Sequence, residues 1–87
     1  MLNMYYLYIL KSLHDFGYYI GISDNVEKRV KEHNAGKTKS TKSRIPFVLA
    51  GTEDYLNKTE ARKREIFLKK NYQERKKVLK NLGFEVK

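Results

Sequence analysis

Apolar and aromatic positions fall into short runs separated by polar links. Tyr5-Tyr6-Leu7-Tyr8-Ile9-Leu10 is unbroken and rich in aromatic and branched side chains, which predicts a strand buried on both faces, and Gly17 to Ile22 predicts a second. The polar link from Lys11 to Phe16 makes a hairpin the economical connection. The period then changes. Val26 and Val30 stand four apart, Asp24 offers an N-cap with Glu27 three residues on, and Asn34-Ala35-Gly36 supplies a stop, so a helix is expected between them. Pro46 opens a third apolar run, Phe47 to Ala50, read as a strand. Thr59 is the expected cap of a second helix of about three turns, and a third runs from Tyr72 to Leu82 and ends at Gly83. The order ββαβαα has no internal repeat and no interdomain linker. It predicts one α+β domain over residues 1–87, a small, mostly antiparallel three-stranded sheet flanked by helices.

Helical geometry singles out polar residues on buried faces. At 100° per residue, Arg29 and His33 project within roughly 60° of Val26, whereas Glu27, Lys28, Lys31 and Glu32 point away. An Arg and a His stacked one turn apart on the inner side fit either a boundary pair, with Arg29 snorkelling beside a hydrogen-bonded His33, or a phosphate-facing Arg with a proton-handling His. In the second helix Leu68 and Tyr72 each lie within about 20° of Ala61, with Glu65 about 40° from Ala61. An inward carboxylate in a basic chain fits a partner for an Arg such as Arg29 or Arg64, or a ligand for a hard cation such as Mg²⁺, which keeps several waters and needs one or two carboxylates. Spacing leaves both open.

Charge changes the picture more than length does. The 87 residues carry 19 Lys and Arg against 10 Asp and Glu, a formal charge of +9. Residues 1–33 are neutral in sum. From Asn34 to Thr52 there is no acid, while Lys37, Lys39, Lys42 and Arg44 stand among Thr38, Ser40, Thr41 and Ser43, and the stretch from Lys58 to Lys80 is strongly basic. Lysine, arginine and hydroxyl groups together suit a phosphate-bearing partner, with counterion release driving association. A Lys-rich helix by itself equally fits a solvated face. With no cysteine, disulfide scaffolds, thiolate zinc sites and thiol catalysis are excluded. The apolar stretch Met4 to Leu10 is far short of the ~20 residues that span a bilayer, so the expected setting is cytoplasmic, with no membrane role. A chain this short should carry a shallow site.

Taken together, these residues resemble the GIY-YIG nuclease family. Leu7-Tyr8-Ile9 is similar to the first family motif, with Tyr6-Leu7 where Gly-Ile would precede the Tyr, and Tyr19-Ile20-Gly21 matches the second. Asn25 to Asn34 resembles the family helix with an Arg followed four residues later by a His or Tyr. Thr38 to Phe47 resembles its Thr/Ser-Lys loop leading to Arg-x-Pro, and Glu60-Ala61 with Arg64-Glu65 resembles the helix bearing the metal-binding Glu. The likeness runs from Tyr6 to Leu68. It is nearest to small single-domain bacterial members similar to the N-terminal endonuclease domain of the excision-repair nuclease.

That resemblance implies hydrolysis of a DNA phosphodiester with one divalent cation, Mg²⁺ or Mn²⁺. Tyr8 and Tyr19 would be paired phenols near the nucleophilic water, one of them the general base. Gly21 would permit close approach of the backbone, Arg29 would hold the scissile phosphate, His33 would orient the network and Glu65 would bind the metal. Lys37, Lys39, Lys42 and Arg44 are the expected DNA contacts, with branched or damaged DNA and other repair proteins as partners. A phenol with pKa near 10 is a poor base at neutral pH, so this chemistry requires Arg29 and the metal beside it. The competing functions are a non-cleaving nucleic-acid-binding module of a repair complex and an RNA-directed nuclease.

Overall fold

A computed structural model describes residues 4–83. Strands β1 (Tyr5–Ser12), β2 (Tyr18–Ser23) and β3 (Phe47–Tyr55) form one sheet in the order β2-β1-β3, and both pairings are antiparallel. Helix α1 (Val26–Asn34) follows β2, a short 3₁₀ turn (Lys42–Arg44) precedes β3, and α2 (Lys58–Lys70) and α3 (Tyr72–Asn81) complete the described chain. The α+β architecture with three antiparallel strands is the one the sequence pattern predicts. No helix among the described residues is long and apolar enough to cross a membrane.

The continuous apolar run of β1 is explained by its central position. Leu7 and Ile9 point to one face and join Ile20 with Leu68 of α2 and Leu79 of α3. Tyr8 and Leu10 point to the other and join Phe47, with Val26 and Val30 of α1 packed on them. Helices therefore cover both faces, and period-2 alternation delivers Tyr8 to the α1 side.

Three local expectations are corrected. The N-cap of α1 is Asn25, whose side-chain oxygen accepts from the Lys28 N–H at 3.1 Å, and not Asp24. The cap of α2 is Asn57, accepting from Glu60 N–H at 2.9 Å, and not Thr59, which lies inside the helix. In both places neighbouring residues could cap, and the one whose backbone is extended does so. Strand β3 extends five residues past the apolar run Phe47 to Ala50. Being an edge strand with one partner, its second half needs no continuous apolar face, so Thr52 and Asp54 are exposed. A bulge at Ala50 shifts the register, with Ile9 opposite Gly51 and Leu10 opposite Leu49. Half-buried Glu53 on this strand takes hydrogen bonds from Arg64 of α2 at 3.0 Å and from the Tyr55 hydroxyl at 2.7 Å. Burial alone would raise its pKa, but those two donors outweigh it and hold the carboxyl below its usual range, while burial and that bond push the Tyr55 phenol up to about 12.

Two side chains fasten the loop between α1 and β3. Asn34, at the end of α1, donates to Phe47 O at 2.9 Å and accepts from Phe47 N–H at 2.7 Å. Buried Ser12 donates from Oγ to Arg44 O at 2.6 Å while the same oxygen accepts from the His14 and Asp15 N–H groups in the hairpin turn. Arg44 reaches back to Asp15 at 2.6 Å, which holds that carboxyl down at about 2, and donates to Tyr18 O at 3.2 Å. Asn34→Ala removes both bonds to Phe47 and should lower unfolding free energy by roughly 1–3 kcal/mol. Urea denaturation checks this, an unchanged midpoint showing that the loop is held elsewhere.

Candidate active site

The α1 face of the sheet gathers Tyr8, Tyr19, Arg29 and His33. In the β1–β2 register Tyr8 pairs with Gly21 and Leu10 with Tyr19, so both tyrosines project to the same side as Gly21. Their ring centroids are 6.3 Å apart, and the His33 ring stands edge-on to each, at 5.9 Å from Tyr8 and 5.0 Å from Tyr19. Gly21 has a cross-strand reason to be glycine: a Cβ there would sit 2.5 Å from Cζ of the Tyr8 ring, so the close approach is by the Tyr8 phenol, which lies across its backbone.

Tyr8 is 1% exposed and His33 fully buried, so every polar atom they carry must be partnered. The Tyr8 hydroxyl and His33 Nε2 are 3.0 Å apart, and His33 Nδ1 lies 2.8 Å from Thr41 Oγ1, which in turn donates to Thr38 O at 3.3 Å. The direction of this chain follows from its far end. A backbone carbonyl only accepts, so the Thr41 hydroxyl spends its proton on Thr38 O and must accept from Nδ1–H, which leaves Nε2 of a neutral ring to accept from the Tyr8 hydroxyl. Burial first, and the Arg29 cation second, push the His33 pKa below 6.5 and keep it neutral at pH 7. Burial likewise raises the Tyr8 pKa, against the lowering effect of the neighbouring Arg29 guanidinium. The Tyr8 phenol is in turn the main reason the Arg29 pKa is raised. Arg29 is not deeply inward. It sits at the rim, with Glu32 at 3.5 Å.

Glu65 is 5% exposed on α2, and its charge acts on Tyr8. Its partners are neither Arg29 nor Arg64: Arg62 reaches Oε1 at 2.6 Å and Lys69 reaches Oε2 at 3.1 Å. Lys69 also stands 5.9 Å over the Tyr19 ring, which ties this carboxylate to the phenol site. No cluster of three or more His, Asp or Glu side chains arranged for a metal occurs among the described residues. The donor at hand is thus one carboxylate with about four lone-pair positions, of which the cations use two, and this suits an ion such as Mg²⁺ that retains most of its waters.

Of the basic loop, Lys37, Lys39 and Lys42 are exposed, whereas Arg44 is mostly covered by its bonds to Asp15 and Tyr18. The sequence reading missed Thr41, which fixes the His33 tautomer, and Arg62 and Lys69, which clamp Glu65. Thr41 stands among three other loop hydroxyls with nothing to distinguish it. The clamp has a visible signal, since Arg62 and Lys69 lie three residues before and four after Glu65.

A family model described as the GIY-YIG catalytic domain matches residues 4–78. A UPF0213 protein of Bacillus licheniformis is 42% identical over 69 residues, covering 78% of this chain and 70% of that protein. One from Halobacterium salinarum is 38% identical over 77 residues, covering 87% and 99%. Among solved structures, the solution NMR structure of a UPF0213 protein from Bacillus halodurans superposes with a TM-score of 0.55 at 35% identity, covering 91% of this chain and 84% of that one.

The lowered pKa of His33 makes a signed prediction. The unfolded chain takes up a proton near pH 6.5 and the folded chain only at lower pH, so the stability tied to neutral His33 is complete above 6.5 and is lost as pH falls from there toward the folded value. Urea titrations across this range should show the loss in the wild type and a flatter profile in His33→Gln. Equal slopes would mean that His33 is not held neutral.

Proposed function

This chain belongs to the GIY-YIG family, and we propose that it is a metal-dependent endonuclease that hydrolyses DNA phosphodiester bonds, in repair or processing of branched or damaged DNA in the cytoplasm. The observation that carries this reading is the Tyr8–His33–Thr41 chain of hydrogen bonds, set beside Tyr19 and within the field of Arg29 and Glu65. A buried, neutral His accepting from a phenol that lies in the field of an Arg is costly to assemble for packing alone, and it has the parts for in-line displacement at phosphorus.

Arg29 is the phosphate ligand, because its planar fork has five donors and Glu32, at 3.5 Å, takes only one of them. Turning the rest to a non-bridging oxygen places the phosphorus beside the phenols. The raised pKa of Tyr8 keeps it protonated, so it does not act as a ready phenolate. Its role is to relay: the attacking water gives a proton to Tyr8 Oη as Tyr8 passes its own to His33 Nε2, 3.0 Å away. This removes the need for a free phenolate at neutral pH. Tyr19, only partly covered, faces the water. Glu65 would hold Mg²⁺ or Mn²⁺, which when bound supplies Lewis-acid stabilisation of the leaving oxygen. Lys37, Lys39 and Lys42 engage flanking phosphates, with Arg44 contributing through the placement of their loop.

The test is cleavage of duplex, flap, junction and single-stranded DNA with Mg²⁺ or Mn²⁺, wild type against Glu65→Gln. Arg62 and Lys69 are each about half exposed, so the substitution leaves solvated cations and should cost the fold only about 1 kcal/mol. Cleavage should fall at least ~100-fold, the scale of a lost metal or transition-state contact, while DNA binding persists. A folded Glu65→Gln protein that cuts at the wild-type rate would remove Glu65 from the metal site, and a wild type inactive on every substrate favours the non-cleaving module. In the same binding assay, log affinity should fall with log salt at about −0.9 per phosphate neutralised on duplex, or about −0.7 on single strands. A flat line would remove the lysine loop from the interface.

A further inference from the structure

A second concavity opens beside the candidate active site, on the far side of edge strand β2. It has a volume of about 380 Å³ and is lined by Tyr18, Tyr19 and Ile20 of β2, Lys69 of α2, and Tyr72, Arg75 and Leu79 of α3. Tyr19 belongs to both, so the groove runs directly off the phenol site. Its size lies within the range of pockets that take small ligands.

The lining is aromatic and cationic in alternation. Tyr72 is 46% exposed, and the Arg75 guanidinium stands 5.4 Å from its ring centroid. Arg75 is itself fastened, donating from Nη1 to Leu68 O at 3.0 Å and Lys69 O at 3.1 Å across the α2–α3 junction. The Tyr72 ring is therefore backed by a planar cation that the helix hairpin holds in place, so the guanidinium has little freedom left to lose when something stacks on the ring. Lys11 stands 5.9 Å over the Tyr18 ring, as Lys69 does over Tyr19. Leu79 and Ile20 give the groove an apolar floor.

Aromatic faces backed by cations on a strongly basic domain suit one ligand chemistry, the π-face of a nucleobase joined to a phosphate. In a duplex both faces of each base are covered by its neighbours, so only an unstacked base can enter. We propose that this groove is a nucleobase subsite: it receives one unpaired nucleotide of the DNA strand whose phosphate lies at Tyr8, Tyr19 and Arg29, with Tyr72 as the stacking platform. The proposal rests on the nuclease reading for the position of that phosphate, and it narrows the substrate to DNA that is single-stranded next to the cut.

Fluorescence anisotropy in EDTA tests this without cleavage. The probes are a short labelled single-stranded DNA, the same strand with base-free sugars, and the corresponding duplex, each titrated with wild type, Tyr72→Ala and Tyr72→Phe. Wild type and Tyr72→Phe should bind the base-bearing strand roughly 10-fold more tightly than the base-free one, the scale of one stacked base. Tyr72→Ala should lose that preference while keeping its duplex affinity, and the half-exposed position together with the matched Phe variant separates lost stacking from lost folding. The proposal is overturned if wild type does not distinguish the two strands, or if folded Tyr72→Ala still does. A protein that shows the preference yet cuts nothing with Mg²⁺ or Mn²⁺ would retain the subsite and lose the nuclease reading, and one that cuts without the preference would do the reverse.

Discussion

A phenol at the centre of a sheet cannot be left without partners, and satisfying the Tyr8 hydroxyl organises this domain. It lies in the middle strand, 1% exposed, across the backbone of Gly21. An unpartnered hydroxyl there would cost about 1–3 kcal/mol, a large share of what so small a core can supply. His33 removes the cost, and it comes from α1 together with Arg29, whose charge acts on the same phenol. The helix must therefore sit with one register against the sheet, and the loop after it must bring Thr41 to the far nitrogen of the imidazole. Structural necessity and candidate chemistry here use the same atoms.

Electrostatics separates the site into a dry half and a wet half. Tyr8, His33 and Thr41 form a neutral, buried relay, and burial moves both titratable members toward their uncharged forms. Around it lie charges that meet water: Arg29 at the rim, the Glu65 clamp with its two half-exposed cations, and the lysines of the loop. On the proposed reading, an anion drawn in by the outer charges would meet a hydrogen-bonded chain that needs no ionised group at rest. The clamp also gives the Glu65 carboxylate two cationic partners in a nearly closed position, where a lone carboxylate would be expensive.

The sheet and helices were legible because hydrophobic period reports burial directly, as in the two-faced run of β1 and the Val26–Val30 stripe. His33 was legible for the same reason, as a polar residue on a face where nothing polar is needed without cause. What escaped lies where burial leaves no periodic trace. The second half of β3 is polar because it is an edge, and Asn25 and Asn57 displace the expected caps because adjacent residues are equally competent and backbone angle decides. Thr41 is one hydroxyl among several, and only three-dimensional proximity to His33 Nδ1 marks it. The partners of Glu65 were ambiguous because Ile66 and Phe67 blur the inner face of α2, and both turn out to be exposed.

The amide of Asn34 has a mechanical side. Bonding both N–H and C=O of Phe47, it takes the place that a neighbouring strand's peptide group would occupy, so the last turn of α1 is docked onto the first residue of β3 as though the helix ended in one rung of sheet. Such a rung acts as a detent. Sliding α1 along its axis by even a fraction of a turn would break both bonds together, so Arg29 and His33, higher on the same rod, share the positional precision of the sheet rather than the looseness of the loop that follows. A domain with few residues to spend on rigidity has placed such a latch at the end of the helix that carries Arg29 and His33.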